Sequence, residues 1–340
     1  MKYGREAGSR APEPAGSQAG LPPTGRIPDF FIIGHQKCGT TALHEMLSRH
    51  PQIFMPYEKE PRFFAADLRS RLQQRDTPGR PLTPEGYLRL FADATPEQRI
   101  GEASPQYIRS DVAARAIAEV QPKARIIAVL REPAAFLRSF HLQSVQNHLE
   151  TETDFARALA LEENRREGRD IPPRCHQPQA LLYSNHVRYA QQLHAYFDVF
   201  PRENVRVLIY EDLREDNEGV VRELLGFLDV QDDVPIEVVE TEPLRHVRSG
   251  PLHELTGVLR VARRNQEAAS PASRVVSRLT PEPMRRGVVG KAWRRAVYTD
   301  RSEQDPELML ALRCRFKPEV EKLGELLGRD MVARWGYQGI

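Results

Sequence analysis

Three continuous, largely apolar runs mark the hydrophobic pattern of this chain, at residues 30–33, 125–130 and 205–210. Short apolar runs of this kind are typical of strands buried on both faces of a parallel sheet. Around these strands, apolar residues recur at helical spacing. The predicted helices span residues 41–50, 134–149, 187–200 and 218–228, and residues 308–316 and 320–327 form one or two closing helices. Alternating strands and helices predict an α/β fold, with a central parallel sheet, helices on both of its faces and ligands at the carboxyl ends of its strands.

The domain organisation follows from length and local composition. A chain of 340 residues can bury the core of one large domain. Residues 1–26 are rich in Pro, Gly and Ser without a periodic apolar face, and they predict a disordered tail. We predict one domain over residues 27–340, with a basic helical insertion around residues 231–305. From Arg245 to Arg295 the chain has twelve Lys or Arg against three Glu. This segment is either a solvated insertion or a surface that faces an anion.

Charge and cysteine content exclude several classes of partner. The formal net charge of +2 gives no support to a nucleic-acid partner, because acidic residues balance the many arginines. The three cysteines lie far apart and lack the spacing of metal ligands, so we expect neither a disulfide framework nor a zinc site, and we expect a reducing compartment. No apolar run is long enough to cross a bilayer, and the N-terminus lacks a signal-peptide core. We therefore expect a cytoplasmic protein without a transmembrane segment. The sequence does not indicate an oligomeric state.

The loop after the first predicted strand reads Gly-His-Gln-Lys-Cys-Gly-Thr-Thr, from Gly34 to Thr41. It is close to the nucleotide-binding P-loop, G-x-x-x-x-G-K-[ST], but the lysine stands earlier, at Lys37, and Thr40 follows the second glycine. The glycine spacing still permits a nest of backbone N–H groups, closed by the N-terminus of the next helix, that can hold a phosphate. The displaced lysine indicates a donor other than a nucleoside triphosphate.

A second anion-binding pattern follows the second predicted strand. Arg131-Glu132-Pro133 comes directly after this strand, and Ser139 lies eight residues after Arg131. The arginine offers a planar charged fork and the serine a hydroxyl donor on the following helix, which suits a second phosphate.

Together the two loops resemble those of sulfotransferases that use 3′-phosphoadenosine-5′-phosphosulfate (PAPS), in particular bacterial members related to the heparan sulfate sulfotransferases. The resemblance implies a P-loop-like architecture, PAPS as donor, 3′,5′-adenosine bisphosphate as product and no metal. It also implies that Lys37 stabilises the departing phosphate and that Arg131 and Ser139 hold the 3′-phosphate. Many relatives have a second arginine where this chain has Phe136, and Arg138 is expected to point elsewhere. The implied donor-binding residues are Gly34, Gln36, Lys37, Cys38, Gly39, Thr40, Thr41, Arg131 and Ser139.

The general base is expected in the segment Lys59-Glu60-Pro61-Arg62-Phe63-Phe64. The acceptor must lose a proton as it is sulfated, so a carboxylate or imidazole has to lie within hydrogen-bond reach. No histidine occurs between His50 and His141. A glutamate shortly before Phe-Phe resembles the base of heparan sulfate sulfotransferases, which implies this role for Glu60. Glu102 and His141 are the alternatives.

The segment Gly-Glu-Ala-Ser-Pro-Gln-Tyr at residues 101–107 resembles the family's acceptor-lining segment. Ala103 stands where several heparan sulfate enzymes have a catalytic lysine. The acceptor is expected to be a hydroxyl or amine of a small molecule, lipid or glycan. The expected acceptor-lining residues are Phe63, Phe64, Glu102, Ser104 and Tyr107.

Two other functions stay open at this point. A P-loop kinase that uses ATP and Mg²⁺ would need an acidic residue at a strand end, and Asp212 after the third predicted strand is the nearest match. A nucleotide-binding relative without turnover is the second alternative, and Phe136 and Ala103 are the features in its favour.

Overall fold

The computed structural model of the chain describes residues 25–69, 81–239 and 305–340, together with the backbone of two short strands, β6 (His246–Val247) and β7 (Tyr298–Thr299). The predicted tail, apart from residues 25 and 26, lies outside the described residues, and so does most of the predicted basic insertion. Strands β6 and β7 pair antiparallel, which brings the two ends of the segment between them together.

A sheet of five parallel strands forms the centre of the described structure, in the order β2-β3-β1-β4-β5. This arrangement confirms the predicted α/β fold with a central parallel sheet. Strands β1, β4 and β5 are the three strands that the apolar runs predict. The five strands are β1 (Phe30–Gly34), β2 (Ile53–Phe54), β3 (Arg99–Ala103), β4 (Arg125–Leu130) and β5 (Val205–Ile209).

Strand β1 lies in the middle of this sheet, and all five of its residues are buried. It pairs with β4 in parallel register, so that Gly34 lies opposite Val129. The loops that follow β1 and β4 therefore begin side by side at the same edge of the sheet, where parallel α/β folds bind ligands.

Eleven helices occur among the described residues, and six turns of 3₁₀ helix join or extend them. The helices are α1 (Thr40–Ser48), α2 (Pro84–Leu88), α3 (Ala113–Val120), α4 (Pro133–Gln146), α5 (Phe155–Ala160), α6 (Glu162–Arg166), α7 (Tyr189–Phe197), α8 (Tyr210–Glu215), α9 (Asn217–Phe227), α10 (Pro306–Leu327) and α11 (Met331–Arg334). The 3₁₀ turns are Ala66–Leu68, Arg89–Phe91, Pro105–Arg109, Pro178–Leu181, Tyr183–Val187 and Arg202–Asn204. No helix of the described residues is long and apolar enough to span a membrane.

Of the two alternatives for the closing segment, one helix or two, the structure has one helix, α10, which continues through Pro318. Its buried residues Leu312, Phe316, Val320 and Leu323 form one apolar stripe, so packing outweighs the hydrogen bond that the proline removes. Tyr210 begins α8 and does not end β5.

Strand β3 was not among the predicted strands because two of its residues disfavour a strand. At Gly101 an added Cβ would lie 2.2 Å from the ring of Phe30 on β1, so the close approach of the strands requires glycine. Glu102 is fully buried, and its Oε2 accepts hydrogen bonds from the hydroxyls of Tyr87 (2.8 Å) and Tyr107 (2.9 Å). These bonds offset the desolvation of a carboxyl group inside the sheet.

The C-terminal residues support the loops that follow β4 and β5. The carboxylate of Glu132 caps α4 by accepting from the backbone N–H of Ala134 and Ala135, and the Tyr337 hydroxyl donates to the same carboxylate. Trp335 Nε1 donates to Glu211 after β5, over 2.9 Å. The segment after α10 thereby fixes the strand ends at which the predicted donor site lies.

Candidate functional site

The loop between β1 and α1 has the backbone conformation of an anion-binding nest. Its residues Gly34, Lys37 and Gly39 have φ angles of 126°, 67° and 83°. At Gly34 a Cβ would lie 2.2 Å from the carbonyl oxygen of Val129, so no other residue fits beside β4. Gly39 precedes α1, and its helix start has no side-chain cap. The backbone N–H groups of the first turn are thus directed at the loop, where they can bind an anion.

Lys37 lies beside Arg131, although the two residues belong to different loops. Arg131 Nη1 donates a 3.0 Å hydrogen bond to the carbonyl oxygen of Lys37. Partial burial and the positive charge of Arg131 lower the pKa of the Lys37 ammonium group. Two cations that repel each other in a partly desolvated site favour binding of an anion between them.

Arg131 has part of its hydrogen-bonding capacity free. Its guanidinium lies over the ring of Tyr210 at 4.7 Å, and its buried Nε has no partner among the described residues. Burial, with the charge of Arg131, lowers the pKa of Arg138, and the direction in which the Arg138 side chain points stays a prediction. Ser139 is partly exposed on the same helix, α4.

Phe136 belongs to the core. Its side chain is fully buried, and its ring packs against the ring of His35 at 4.7 Å. The position that carries a second arginine in many relatives therefore has no access to a phosphate here.

Glu60 is connected to the first loop by a hydrogen bond. Gln36 Nε2 donates to Glu60 Oε2 over 3.3 Å, which places the predicted base next to the loop that carries Lys37. Burial raises the pKa of the Glu60 carboxyl, but the charges of Arg62 and Lys59 and the hydrogen bonds from Arg62 and Gln36 outweigh it, so the pKa lies below its usual value. Glu60 is therefore a carboxylate at neutral pH, with Lys59 at one of its oxygens and Arg62 and Gln36 at the other. Its φ of 61° marks backbone strain at this position.

The remaining residues of the predicted donor site lie in the same loop and helix. Lys59 Nζ donates to the Thr41 hydroxyl over 3.3 Å, which connects the segment of the predicted base to α1. Thr40 is buried at the start of α1. Cys38 is buried too, with its thiol 3.7 Å from the carbonyl oxygen of Gln36, and burial raises its pKa. Its thiol stays protonated and fills the turn.

The expected acceptor-lining residues lie mostly inside the protein. Phe64, Glu102, Ser104 and Tyr107 are buried, and only Phe63 is partly exposed. Phe63 stacks on Tyr87 with ring centroids 4.4 Å apart. Burial raises the pKa of Glu102 to about 7, against the hydrogen bonds from Ser104, Tyr87 and Tyr107. An acceptor-lining role stays a prediction for all five residues.

The residues named for alternative mechanisms have other partners. His141 Nε2 lies 2.8 Å from the carbonyl oxygen of Glu152, and burial lowers its pKa. Asp212 accepts hydrogen bonds from both Arg329 and Arg334. No cluster of three or more potential metal ligands occurs in residues 25–69, 81–239 and 305–340.

Sequence reasoning did not single out three charged or titratable residues at this site. His35 lies in the first loop, 3.2 Å from Gln192 Oε1, and burial together with the charge of Arg109 lowers its pKa to about 3, so it stays neutral. Arg62 forms an ion pair with Glu60. Arg109 ends the 3₁₀ turn after β3. Arg62 could have been found from the sequence, because it lies two residues after the predicted base Glu60. Nothing in the sequence connects Arg109 to the site.

Comparison with known proteins identifies the class to which this fold and site belong. The family model for the sulfotransferase domain matches residues 27–270. This chain belongs to that family.

Two human relatives and one solved structure are similar to the chain. The bifunctional heparan sulfate N-deacetylase/N-sulfotransferase 2 is 33% identical over 112 residues, which make up 32% of this chain and 12% of that protein. Carbohydrate sulfotransferase 15 is 26% identical over 258 residues, covering 60% of this chain and 44% of that protein. The chain thus spans less than half the length of either relative. A sulfotransferase from Alicyclobacillus acidocaldarius matches with a TM-score of 0.64 and 27% identity, over 91% of this chain and 99% of that one.

Proposed function

We propose that this protein transfers a sulfuryl group from PAPS to a hydroxyl or amine of a small-molecule, lipid or glycan acceptor. The observation that carries the proposal is that two separate segments are hydrogen-bonded to the loop that contains Lys37. Arg131 is hydrogen-bonded to the backbone of Lys37, and Glu60 is hydrogen-bonded to Gln36. The residues proposed to bind a phosphate, to stabilise the leaving group and to accept the acceptor's proton would thereby be next to each other.

The residues present suit a donor with two phosphate groups. The backbone N–H groups at the start of α1 and the side chain of Lys37 would bind the 5′-phosphosulfate. The 3′-phosphate would bind to Arg131, whose buried Nε lacks a partner among the described residues, and to Ser139. Arg138 lies close enough to Arg131 to add a second positive charge. It would replace the arginine that many relatives have at the position of Phe136.

The chemistry would be an in-line transfer in which a bond forms between sulfur and the oxygen or nitrogen of the acceptor while a sulfur–oxygen bond of the donor breaks. The bond between the sulfuryl group and the donor's phosphate oxygen breaks, and negative charge develops on that oxygen. The Lys37 ammonium group would stabilise this charge, and because the charge is greatest in the transition state, its effect would fall mainly on turnover. Glu60, a carboxylate at neutral pH, would accept the proton from the acceptor's hydroxyl or amine.

The kinase alternative receives no support from the strand end after β5. Asp212 is hydrogen-bonded to two arginines, so its oxygens are not free to hold Mg²⁺ beside a nucleotide. Charge pairing with Arg329 and Arg334 gives this carboxylate a structural role that connects α8 to the C-terminal segment.

Isothermal titration distinguishes the two donors. We expect 3′,5′-adenosine bisphosphate to bind in the presence of EDTA, and Arg131→Ala to weaken this binding. The matched control Arg115→Ala changes an exposed arginine on α3 and should bind as the wild type does. Binding of ATP that depends on Mg²⁺, with no binding of the bisphosphate, would contradict the proposal.

A further inference from the structure

The segment from Lys59 to Phe64, which contains the proposed base, belongs to no helix or strand. Glu60 and Arg62 have φ angles of 61° and 57°, in the left-handed region that residues with a side chain seldom adopt. A loop persists in this conformation only where its surroundings stabilise it. The direction of the Glu60 carboxylate therefore depends on the contacts that fix the backbone of this segment.

Every second residue from 60 to 64 donates its backbone N–H to the region where β3 ends. These hydrogen bonds run from Glu60 to the carbonyl oxygen of Ala103 (3.0 Å), from Arg62 to the Ser104 hydroxyl (3.0 Å) and from Phe64 to the Tyr107 hydroxyl (3.3 Å). Two of the three acceptors are side-chain hydroxyls. The identity of the residues at 104 and 107 therefore decides whether these two hydrogen bonds can form.

Ser104 is fixed to the centre of the sheet. Its side chain is buried, and its backbone N–H donates to the carbonyl oxygen of Ile32 on β1 over 3.1 Å. Strand β1 continues into the loop that contains Lys37. The segment of the proposed base and the proposed donor loop thus share one rigid support, to which Ser104 connects the former.

Tyr107 is fixed by residues inside the fold. Its hydroxyl accepts from Phe64 and donates to Glu102 Oε2 over 2.9 Å. Its backbone carbonyl accepts from the Tyr196 hydroxyl over 2.8 Å, and its side chain, like that of Ser104, is 0% exposed. A side chain without exposed surface does not contact an acceptor, although the family resemblance implies an acceptor-lining role for both residues. Their hydroxyls instead stabilise the segment of the proposed base.

The turn that Ser104 stabilises brings two hydrogen-bond donors to one oxygen of the Glu60 carboxylate. Arg62 lies only two residues after Glu60, and its guanidinium pairs with Oε2 of that carboxylate. Gln36 of the proposed donor loop donates to the same oxygen over 3.3 Å, and Lys59 lies 3.5 Å from Oε1. If the turn relaxed to a negative φ at Arg62, both side chains would change direction. The contacts of Oε2 with Arg62 and Gln36 would then be lost.

We propose that Ser104 is a positioning residue for the general base, assisted by Tyr107. The Ser104 hydroxyl fixes the left-handed turn at Arg62, and this turn directs the Glu60 carboxylate at the loop that contains Lys37. The inference rests on the proposed function, since it assigns Ser104 to the base of that reaction. A base contributes to turnover only within hydrogen-bond reach of the acceptor's proton, so a small displacement of Glu60 lowers kcat without changing donor binding.

Carboxyl NMR of the protein with ¹³C-labelled glutamate tests the position of Glu60 without donor or acceptor. The Glu60 signal is assigned by its absence in Glu60→Gln. In the wild type its titration midpoint should lie below pH 4.5, because the positive charges beside the carboxylate lower its pKa. We expect Ser104→Ala to raise this midpoint towards pH 4.5, since Oε2 loses Arg62 and Gln36. Ser104→Thr, which keeps the hydroxyl, should restore the wild-type midpoint.

Labelled sulfuryl transfer from PAPS measures the consequence for turnover. The acceptor is whichever of 4-methylphenol, 1-dodecanol and de-N-sulfated heparin receives label from the wild type. Ser104→Ala should lower kcat by about 10-fold to 100-fold and leave binding of 3′,5′-adenosine bisphosphate unchanged, and Ser104→Thr should restore most of the kcat. Tyr107→Phe, which removes the acceptor for the N–H of Phe64, should have the same effects to a smaller extent. It provides a second test that does not depend on the folding of Ser104→Ala.

Ser110→Ala is the matched control. Ser110 is a buried serine whose hydroxyl also accepts from a backbone N–H, that of Ala113 at the start of α3, over 3.0 Å. This substitution should leave the Glu60 midpoint and kcat as they are in the wild type.

A raised midpoint and a lowered kcat that are confined to substitutions at 104 and 107 support the inference. An unchanged midpoint in the folded variants, or an equal loss of kcat in Ser110→Ala, overturns it. Failure of the wild type to bind the bisphosphate overturns the proposed function, whereas the midpoint still tests the position of Glu60.

Discussion

Arg131 donates a hydrogen bond to the backbone of Lys37, at a distance of 3.0 Å. The bond joins the loop after β4 to the loop after β1, which are neighbouring strands in the sheet. It holds the guanidinium near the lysine and keeps the loop in the left-handed conformation seen at Lys37. This pair of residues thus connects the two predicted phosphate sites. The role of Lys37 in turnover and the role of Arg131 in donor binding can be measured separately.

Lys37→Ala should lower turnover far more than donor affinity. The ammonium group of Lys37 interacts most favourably with the leaving oxygen when that oxygen becomes negative, in the transition state. We therefore expect kcat to fall by about 100-fold to 1,000-fold. The dissociation constant of 3′,5′-adenosine bisphosphate should change by less than about tenfold. Lys123→Ala, at an exposed lysine before β4, is the control. If the substitution weakens binding of the bisphosphate strongly and leaves kcat nearly unchanged, Lys37 contributes to donor binding and not to stabilisation of the transition state, which would contradict the assignment.

Arg131→Ala should have the opposite effect. Loss of a charged hydrogen-bonding partner of a phosphate should weaken binding of 3′,5′-adenosine bisphosphate by about 10-fold to 100-fold, as measured by titration. Arg138→Ala should weaken it less, since Arg138 contributes charge near Arg131. Binding of adenosine 5′-monophosphate, which lacks the 3′-phosphate, should respond weakly to both substitutions. Equal losses for the two ligands would contradict the assignment of the 3′-phosphate to this loop.

The fold was largely predictable because three of its strands can be recognised from the local sequence alone. Strands β1 and β4 are almost entirely buried and appear as apolar runs, and each is followed by a loop with a recognisable composition. Strand β5 lies at the edge of the sheet with Arg206 exposed, but its remaining apolar residues still form a recognisable run. Strand β3 was missed because Gly101 and Glu102 disfavour a strand by propensity and are explained only by contacts with Phe30, Tyr87 and Tyr107. Those contacts join distant parts of the chain, so tertiary packing decides the element.

Glu60→Gln should abolish transfer and leave donor binding intact, because an amide cannot accept the acceptor's proton. The pH profile of the wild type gives a second measurement. The pKa of Glu60 lies below its usual value of 4.5, so kcat should fall only when the pH drops below that value and protonates the base. The pKa of Lys37 lies below its usual 10.5, so the alkaline loss of activity should begin below pH 10.5. Unchanged turnover in Glu60→Gln would show that another residue is the general base.

Glu102→Gln should change stability with little effect on donor binding. Burial raises the pKa of Glu102 to about 7 from a usual 4.5, so the folded state binds a proton more tightly than the unfolded state. The stability that this proton contributes is complete below pH 4.5 and is lost as the pH rises towards 7 and above, on the order of 3 kcal/mol. The free energy of unfolding of Glu102→Gln should fall less between pH 5 and pH 8 than that of the wild type. The glutamine oxygen can still accept from both tyrosines.

The site was predictable only where its chemistry lies in one segment. The loop with Lys37 and the segment with Glu60 each carry a local pattern, whereas no local pattern singles out Arg109 at the end of the turn after β3. Phe136 illustrates the converse. It breaks the pattern of many relatives, and the structure shows why, since the ring fills the core against His35.

Labelled sulfuryl transfer from PAPS tests the central claim most directly. Wild-type protein and Glu60→Gln are incubated with the labelled donor in EDTA, with acceptors drawn from small-molecule, lipid and glycan classes. The account predicts that the wild type transfers label to an acceptor, with one 3′,5′-adenosine bisphosphate formed for each group transferred, and that Glu60→Gln binds the bisphosphate without transferring label. Protein that binds the bisphosphate but transfers no label to any acceptor class would contradict the account and indicate a relative without turnover.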